Sequence, residues 1–393
     1  MLLGIVGRPN VGKSTFFKSC TLANVLIANY PFATIKPNNG IGYVKIDCID
    51  KELRVQCNPR TGYCINHIRF VPVELMDVAG LVKGASEGRG LGNQFLDDLR
   101  QADAFIQVVD ISGETDAEGK PAQSYNPTGD VEMLENEMDL WYAGILKKVW
   151  KTFARTIEVS KEKFSQAIAK QFSGLKVTED DVERVVLKLG YNTARTSQWT
   201  DEQIIAFSHE LRHLTKPMII AANKCDRADA QANLENLKHA YPELMIIPCS
   251  ADYELALREA NKAGIIEYIP GENNFKIIKD LNEKQKAALD NIQHNVLDKY
   301  GSTGVQDTLN KAVFDLLEYI AIFPAGAKLA DSKGNILPDC FLMPPNTTAL
   351  DFAFKLHTDI GNGFVKAIDI RTKLGVGKEH KLKHRDGIEI LTR

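Results

Sequence analysis

Residues 2–14 are LLGIVGRPNVGKS, a short apolar run followed by a glycine-bounded loop and a Lys-Ser pair. The segment from Gly7 to Ser14 fits the phosphate-loop pattern G-x-x-x-x-G-K-S, which requires a strand before it and a helix after it. The apolar run Leu2–Val6 supplies the strand. Glycines let backbone N–H groups curl around phosphates at the helix N-terminus, where partial positive charge collects. We therefore predict a nucleotide site in which Lys13 bridges the β- and γ-phosphates and Ser14 binds Mg²⁺.

Six loop and helix residues are expected to surround the phosphates. They are Asn10, Val11, Gly12, Lys13, Ser14 and Thr15.

Further apolar runs of strand length recur along the chain, separated by helical patterns. They are Ile41–Ile46, Val71–Met76, Phe105–Val109, Met218–Ala222 and Leu244–Pro248. Most are continuously apolar, which is typical of strands buried on both faces of a parallel sheet. The predicted class is therefore α/β, with a mostly parallel sheet.

Asp77-Val-Ala-Gly80 directly follows the run Val71–Met76. A carboxylate at a strand end holds Mg²⁺ through water, and a glycine N–H reaches the γ-phosphate. The pattern D-x-x-G is weak alone but strong one strand after a phosphate loop. We predict Asp77 as a metal residue and Gly80 as a catalytic one.

Asn223-Lys224-Cys225-Asp226 follows the run Met218–Ala222. The Asp226 carboxylate can accept the ring N–H and the exocyclic amine of guanine, donors that adenine lacks. Two charge-assisted hydrogen bonds at about 1.5–3 kcal/mol each predict a preference for guanine of roughly 10²–10⁴-fold. Ser250-Ala251, after the next strand, can offer an N–H to guanine O6. Three motifs in this order predict a GTP-binding domain that contacts the base through Asn223, Lys224, Asp226, Ser250 and Ala251.

The hydrolytic residues follow from order along the chain. Thr34 lies between the phosphate loop and Asp77, so we expect it to reach Mg²⁺ and the γ-phosphate. Ras-type GTPases place a glutamine after D-x-x-G to orient water, whereas this chain has Leu81. Turnover is then very slow, or a partner's side chain or a monovalent cation contributes. Asn10 either helps hold K⁺ beside the phosphates or only stabilises the loop.

A long insert interrupts the nucleotide domain. About a hundred residues separate Asp110 from the strand at Met218, far more than one crossover needs. Apolar residues at steps of three and four predict a long amphipathic helix at the start of the insert, and Thr178 and Thr200 open two further helices. The predicted domains are a GTPase domain (1–125 and 215–319), an inserted helical, coiled-coil domain (126–214) and a small C-terminal domain (320–393).

Charge is segregated along the chain. The 393 residues carry 48 basic and 51 acidic side chains. Residues 143–176 nevertheless hold eight Lys/Arg against two Glu, a net +6, and residues 371–385 hold six against one, a net +5. Such local potential attracts polyanions, although solvated surfaces give the same pattern.

Seven cysteines, an odd number scattered through the chain, argue against a disulfide framework and favour a cytoplasmic protein. No run approaches the ~18 apolar residues of a membrane span, so no membrane partner is expected. Cys48, Cys57, Cys64 and His67 suggest a zinc site, but their spacing lacks the C-x₂₋₄-C pattern of structural zinc sites. This spacing favours buried thiols in a hairpin.

The motifs together resemble the YchF-like branch of the Obg family of GTPases. The resemblance lies in Gly7-Arg-Pro-Asn-Val-Gly-Lys-Ser-Thr, Asn29-Tyr-Pro-Phe-Ala-Thr, Asp77-Val-Ala-Gly-Leu-Val-Lys-Gly-Ala and Gly88-Arg-Gly-Leu-Gly-Asn-Gln-Phe. The tail resembles a TGS domain, a β-grasp module shared with threonyl-tRNA synthetase and SpoT-type enzymes. That resemblance lies in Leu337-Pro-Asp, Thr347-Thr-Ala-Leu-Asp-Phe-Ala, Leu356-His and Asp386-Gly-Ile-Glu-Ile.

The resemblance implies a Mg²⁺-dependent, translation-associated GTPase that binds ribosomes or RNA through the insert and the TGS domain, with Leu81 typical of the branch. Many YchF proteins carry an altered base motif and prefer ATP, whereas Asn223–Asp226 is the unaltered guanine form. Two alternatives stay open, an ATP-preferring ATPase and an RNA-binding protein whose nucleotide is mainly structural. We expect a monomer, because no oligomer signature is present.

Overall fold

The computed structural model describes residues 1–22, 38–78, 100–326, 329–331 and 333–393. The chain divides into two compact units, each built from two segments. The first unit comprises Met1–Phe17 and Leu75–Asp252, and the second comprises Lys18–Glu74 and Tyr253–Arg393. The domain boundaries expected from the sequence stay a prediction.

A parallel sheet forms the centre of the first unit. Its strands are β1 (Leu2–Val6), β5 (Ala104–Asp110), β6 (Met218–Asn223) and β7 (Met245–Pro248). They pair in the order β1-β5-β6-β7, with all pairs parallel. Every residue of β1, β5 and β6 is buried, which confirms the prediction of strands covered on both faces.

Helices alternate with these strands along the chain and form the insert. They are α1 (Lys13–Thr21), α2 (Thr128–Lys147), α3 (Trp150–Ser160), α4 (Phe164–Gln171), α5 (Glu179–Leu189), α6 (Asp201–Thr215), α7 (Ala230–Ala240) and α8 (Ala251–Lys262). Helices α1 and α8 cross the boundary between the units. Thr200 forms the capping box expected at the start of α6, and Thr178, where the sequence predicts a helix start, also forms a capping box at the start of α5.

The long helix expected at the start of the insert is two helices. Lys147 ends α2 and Trp150 begins α3. Between them the Val149 N–H donates to the Leu146 carbonyl at 3.1 Å, one residue nearer than in an α-helix. This tightened turn separates α2 from α3, and apolar periodicity alone does not reveal it.

Aromatic rings fill the interior of the insert. The Trp199 ring lies 5.4 Å from the Trp150 ring, 5.3 Å from Phe164 and 5.5 Å from Phe207, measured between centroids. Trp150, Phe164 and Phe207 come from α3, α4 and α6, and Trp199 lies just before α6, so the insert has its own core.

The second unit contains a hairpin. The hairpin strands are β3 (Tyr63–Ile65) and β4 (Ile68–Asp77), and β4 ends in the first unit. Strand β2 (Asn39–Asp47) precedes them in the chain. Strand β3 pairs antiparallel with β4, and β2 neighbours β4 on its other side. Asn66 and His67 connect β3 to β4 with φ angles of 51° and 64°, as a two-residue hairpin turn requires.

The remaining elements before the C-terminal sheet are short. They are β8 (Ile266–Glu267), β9 (Lys276–Ile277), α9 (Glu283–Ile292), α10 (Asp298–Tyr300) and α11 (Val305–Lys311). Single π-helical segments, Gln293–Leu297 and Ala312–Leu316, follow α9 and α11.

A five-stranded mixed sheet with two helices forms the C-terminal part of the second unit. The elements are β10 (Ile320–Pro324), β11 (Phe341–Met343), α12 (Ala349–Leu356), α13 (Thr358–Asn362), β12 (Phe364–Asp369), β13 (Gly375–Val376) and β14 (Gly387–Thr392). The strand order is β11-β10-β14-β12-β13, with β10 and β14 parallel. Phe352 of α12 packs on Ile322, Ala367 and Ile388 of this sheet. A helix across a mixed sheet of this kind is the β-grasp arrangement expected of the tail.

Among the described residues, no helix is both long and apolar enough to cross a membrane.

Candidate nucleotide site

The phosphate loop lies between the end of β1 at Val6 and the start of α1 at Lys13. Gly12 has a φ of +90°, and a Cβ at this position would collide with the side-chain amide nitrogen of Asn223. Both the backbone angle and the lack of space therefore require glycine here. The Phe16 N–H donates to the Gly12 carbonyl at 2.9 Å and forms the first turn of α1.

Asn10 adopts a left-handed conformation in the loop, with a φ of 65°. Its side-chain Nδ2 donates to the Gly119 carbonyl at 2.8 Å. Gly119 also packs closely against Pro9, where a Cβ would approach the Pro9 carbonyl to 2.8 Å. Asn10 thus joins the loop to the segment after β5, in agreement with the loop-stabilising alternative for this residue.

Lys13 and Asp77 are in direct contact as an ion pair of largely buried side chains. Asp77 reaches the loop because the next residue, Val78, donates its N–H to the Ile5 carbonyl of β1 at 3.0 Å. Ser14 lies beside Lys13 and is exposed. The phosphate-loop lysine, a hydroxyl and a carboxylate are therefore grouped at one place.

Asn223 connects the phosphate loop to the segment after β7. Its side chain is buried, its Nδ2 donates to the Val11 carbonyl at 2.9 Å, and its Oδ1 accepts the Ala251 N–H at 3.0 Å. The sequence predicted a base-binding residue at this position. The structure shows that its amide joins two of the motifs.

Asp226 and Ser250 also come together, as the order of the motifs predicts. The Ser250 hydroxyl donates to Asp226 Oδ1 at 2.7 Å, while Arg227 Nε lies 3.5 Å from the other carboxylate oxygen. The Cys225 N–H donates to the Cys249 carbonyl at 3.0 Å and holds the two loops side by side. Ser250 thus orients the carboxylate that we expect to contact the base.

Asp110 was not singled out in the sequence. It ends β5, in register with Asn223 of β6, and its Oδ2 accepts from Lys224 Nζ at 2.6 Å. The Ser112 N–H and the Thr115 hydroxyl donate to the same buried carboxylate. The signal in the sequence is a charged residue at the carboxyl end of a buried strand, the place where sites form in parallel sheets.

The sequence analysis also missed a cluster of charged and polar side chains around Arg8 of the phosphate loop. Arg8 is an ion-pair partner of Asp130 at 2.8 Å and donates to the Gly129 carbonyl at 3.1 Å. The Tyr125 hydroxyl donates to Asp130 at 2.8 Å, and the Arg8 guanidinium lies 5.7 Å from the Tyr125 ring centre. Burial raises the pKa of Asp130 to about 6, against the opposing effects of Arg8 and Tyr125. Arg8 therefore fastens the phosphate loop to the start of α2.

The predicted residues Thr34 and Gly80, and Leu81 with them, lie outside the described residues. Five others define what we call the nucleotide edge: Lys13, Asp77, Asn223, Asp226 and Ser250. They stand at the carboxyl ends of β1, β4, β6 and β7, directly or through short loops. The side chains that the sequence predicts to contact phosphate, metal and base thus lie at the carboxyl ends of these strands.

Comparisons with known proteins agree with this architecture. Three family models match successive parts of the chain. A "50S ribosome-binding GTPase" model matches residues 2–139, an "Obg-like GTPase YGR210-like, G4 motif-containing domain" model matches residues 221–326, and a TGS domain model matches residues 322–392.

Relatives cover nearly the whole chain. A GTP-binding protein of Methanocaldococcus jannaschii is 49% identical over 100% of this chain and 99% of its own length. The ribosome-binding ATPase YchF of Bacillus subtilis is 32% identical over 93% of this chain and 86% of its own length. The crystal structure of a GTP binding protein from Pyrococcus horikoshii OT3 superposes with a TM-score of 0.82 at 40% identity, covering 100% of both chains. The chain therefore belongs to the YchF-type branch of the Obg-like GTPases, with a P-loop GTPase fold and a C-terminal TGS domain.

Proposed function

We propose that the chain binds GTP and hydrolyses it slowly to GDP and phosphate as a conformational switch that acts on the ribosome. The observation that supports this best is the Asp226 carboxylate, held by the Ser250 hydroxyl at 2.7 Å and joined through Asn223 to the phosphate loop. A base-binding carboxylate and a phosphate loop in one connected hydrogen-bonded framework suit a guanine nucleotide.

Guanine selectivity follows from the fixed position of this carboxylate. Guanine presents two donors to Asp226, and loss of each charge-assisted bond costs about 1.5–3 kcal/mol. Adenine presents no donor at the ring nitrogen, so neither of these two hydrogen bonds to Asp226 would form. The B. subtilis relative is named an ATPase, and we infer the opposite preference for this chain because of Asp226.

Mg²⁺ fits the oxygen ligands present at the edge. Ser14 provides a hydroxyl at the start of α1, and Asp77 provides a carboxylate close to Lys13. When bound, Mg²⁺ would supply positive charge toward the β- and γ-phosphates, beside that of Lys13. Thr34 and Gly80 are proposed from the sequence to contact the metal and the γ-phosphate.

Slow turnover follows from Leu81, whose side chain cannot orient water. The missing charge stabilisation, worth about 4–7 kcal/mol where an arginine finger supplies it, would come from a partner or from K⁺. K⁺ at Asn10 is compatible with the geometry, since the Asn10 contact to Gly119 uses the amide nitrogen and not the side-chain oxygen.

The ribosomal part of the proposal rests on the name of the B. subtilis relative and on the charge of the insert. Lys148, Lys151 and Arg155 are exposed at and along α3. Within the described ranges, none of the three is paired with a carboxylate. In the C-terminal domain, by contrast, Arg371 and Arg385 both pair with Glu52. We therefore propose the outer face of α3 as the stronger RNA-binding surface.

Steady-state hydrolysis of GTP and ATP by the purified chain tests the nucleotide proposal. We expect GTP to be preferred by roughly 10²-fold or more in kcat/KM, and Asp226→Asn to abolish that preference while leaving the weak ATP activity in place. Running the assay in K⁺ and then in Na⁺ measures the cation contribution. Equal or better turnover of ATP by the unaltered chain would refute guanine selectivity.

Ribosome co-sedimentation with GDP and with a non-hydrolysable GTP analogue tests the switch. A switch predicts different affinities in the two states. Lys13→Ala should remove this difference, whereas an unchanged affinity in both states would favour a nucleotide of mainly structural role. Lys151→Glu combined with Arg155→Glu should weaken binding roughly tenfold and reduce the salt slope by about 2. Exposed Lys188 pairs with Glu210 in the same insert, and Lys188→Glu is the matched control.

A further inference from the structure

Four potential metal ligands converge in the second unit, away from the motifs of the nucleotide edge. The cysteine cluster consists of Cys48, Asp50, Cys57 and Cys64, with one ligand atom from each lying within 4.8 Å of the others. Cys48 follows β2, Cys57 lies in the long loop after it, and Cys64 is on β3. Three separate segments of the chain thus contribute ligands to the cysteine cluster. We propose that the cysteine cluster binds one Zn²⁺ ion.

The distances suit a tetrahedral metal site. Cys48 Sγ and Cys57 Sγ are 3.7 Å apart. Two thiolates at the usual zinc–sulfur distance of about 2.3 Å, separated by the tetrahedral angle, lie about 3.8 Å from each other. A disulfide would need about 2.05 Å. Sulfur-rich ligand sets select zinc over Mg²⁺ and Ca²⁺, so the site also differs in metal preference from Ser14 and Asp77.

Asp50 is oriented as a metal-site carboxylate commonly is. It is fully buried, its Oδ1 lies 2.9 Å from His67 Nδ1, and its Oδ2 accepts the Cys57 N–H at 3.1 Å. Cys64 Sγ lies 3.9 Å from the same Oδ2. Hydrogen bonds of this kind fix the direction of a ligating carboxylate. His67 therefore acts as a positioning residue for Asp50.

The charge around the cluster gives an independent argument. Arg69 is the cross-strand neighbour of Cys64 in the β3–β4 hairpin and is 0% exposed. In the part of the chain that the structure describes, its guanidinium donates only to the carbonyls of Leu337 and Pro338, and no carboxylate pairs with it. A buried cation without a counter-charge is costly. Three thiolates and a carboxylate around Zn²⁺ carry net negative charge, which would provide that counter-charge.

The metal would stabilise the loop that contacts the C-terminal segment. Just after Cys57, the Asn58 N–H donates to the Ile336 carbonyl at 3.0 Å and the Arg60 N–H to the Pro338 carbonyl at 2.9 Å. A metal that fixes Cys57 therefore fixes the start of this backbone pairing. Without the metal, residues 48–64 should become easier to cleave.

Zinc content of the full chain, expressed without a metal-binding tag and passed over a chelating resin, tests the proposal. Plasma mass spectrometry should find about one zinc per chain. Cys57→Ser should lower this at least about tenfold. Cys340→Ser alters a buried thiol of the same unit outside the cluster and should keep the zinc in full.

A second measurement uses the unaltered sequence and so does not depend on whether a variant folds. Cd²⁺ added to the metal-free chain should produce a thiolate-to-cadmium absorption band in the ultraviolet, and the Cd²⁺-loaded chain should resist proteolysis between residues 48 and 64. Absence of zinc together with absence of this band would refute the site. A Cys48–Cys57 disulfide mapped in the isolated protein would refute it too, and would assign the pair to redox chemistry instead.

Discussion

The nucleotide edge and the cysteine cluster are built in different ways. At the nucleotide edge, Lys13, Asp77 and Asn223 each stand at or near the end of a buried strand, so the sheet itself places them. In the cysteine cluster, a long loop places Cys57, whose backbone N–H donates to Asp50 Oδ2. A sheet-built site takes its geometry from the strand ends, whereas a loop-built site depends on each ligand and on the contacts that hold the loop.

The largest expected effect tests how strictly the sheet-built site requires its backbone. Gly12→Ala places a side chain at a φ of +90° and against the Asn223 amide. Strain of about 1–2 kcal/mol and the loss of a phosphate contact or of the Asn223 bridge predict a fall in GTP kcat/KM on the order of 10³-fold.

Gly144→Ala is the matched control for this substitution. Gly144 lies in α2, and a Cβ there would meet nothing within 4 Å. Alanine in a helix is more stable than glycine, so activity should be unchanged and stability slightly higher. Full activity of Gly12→Ala, measured beside this control, would show that the loop adapts more freely than a sheet-built site should.

The next effect tests the buried cation beside the cysteine cluster. Arg69→Met leaves the carbonyls of Leu337 and Pro338 without donors, at about 1–3 kcal/mol each, and should lower the free energy of unfolding by about 3 kcal/mol in total. Arg60→Met removes a half-exposed arginine that pairs with Asp339 and should cost under about 1 kcal/mol.

Urea unfolding followed by far-ultraviolet circular dichroism measures both arginine variants. Amide hydrogen exchange at Asn58 and Arg60 reports the loop directly. Equal losses of unfolding free energy in the two variants would mean that buried Arg69 stabilises the protein no more than half-exposed Arg60 does.

The third expected effect is a pH dependence of the free energy of unfolding that comes from Asp130, the ion-pair partner of Arg8 in the phosphate loop. Burial raises the pKa of Asp130 to about 6 from the ordinary 3.8, so folding favours its neutral form. This contribution to stability is present below about pH 4 and is lost as the pH rises to about 6. The free energy of unfolding of the native chain should therefore fall by about 3 kcal/mol over that interval relative to Asp130→Asn, and stay level above it.

Tryptophan fluorescence suits this measurement, because Trp141, Trp150 and Trp199 all belong to the first unit. Asp201→Asn, which alters an exposed carboxylate on α6, controls for the loss of one surface charge. A native chain and an Asp130→Asn variant with parallel pH profiles would contradict the assignment.

The smallest expected effect distinguishes the Ser250 hydroxyl, which orients Asp226, from the Asp226 carboxylate, which we expect to contact the base. Ser250→Ala removes the hydroxyl that orients Asp226 but leaves the carboxylate, so the GTP-over-ATP preference should fall roughly tenfold, less than in Asp226→Asn. A loss as large as that of Asp226→Asn would mean that the hydroxyl, not only the carboxylate, determines the preference.

Much of the nucleotide edge could be predicted from the sequence, because each motif is a few consecutive residues after an apolar run. The structure places Lys13 beside Asp77 and Asp226 beside Ser250, and the sequence predicts all four residues for one nucleotide site. Asp110 and Asp130 could not be predicted in the same way. Their partners, Lys224 and Arg8, are more than a hundred residues away in the chain, and no local pattern connects them.

The sequence by itself determined the parallel sheet, the capped helices α5 and α6 and the three nucleotide motifs, because these depend on local periodicity and on residues adjacent in the chain. Tertiary structure alone decided the break between α2 and α3, the bridging role of Asn223 and the convergence of Cys48, Cys57 and Cys64. The spacing of those cysteines lacks the C-x₂₋₄-C pattern of structural zinc sites, and a long loop brings Cys57 close to Cys48 and Cys64 in space. This convergence depends on side-chain packing between distant segments, which residue order does not specify.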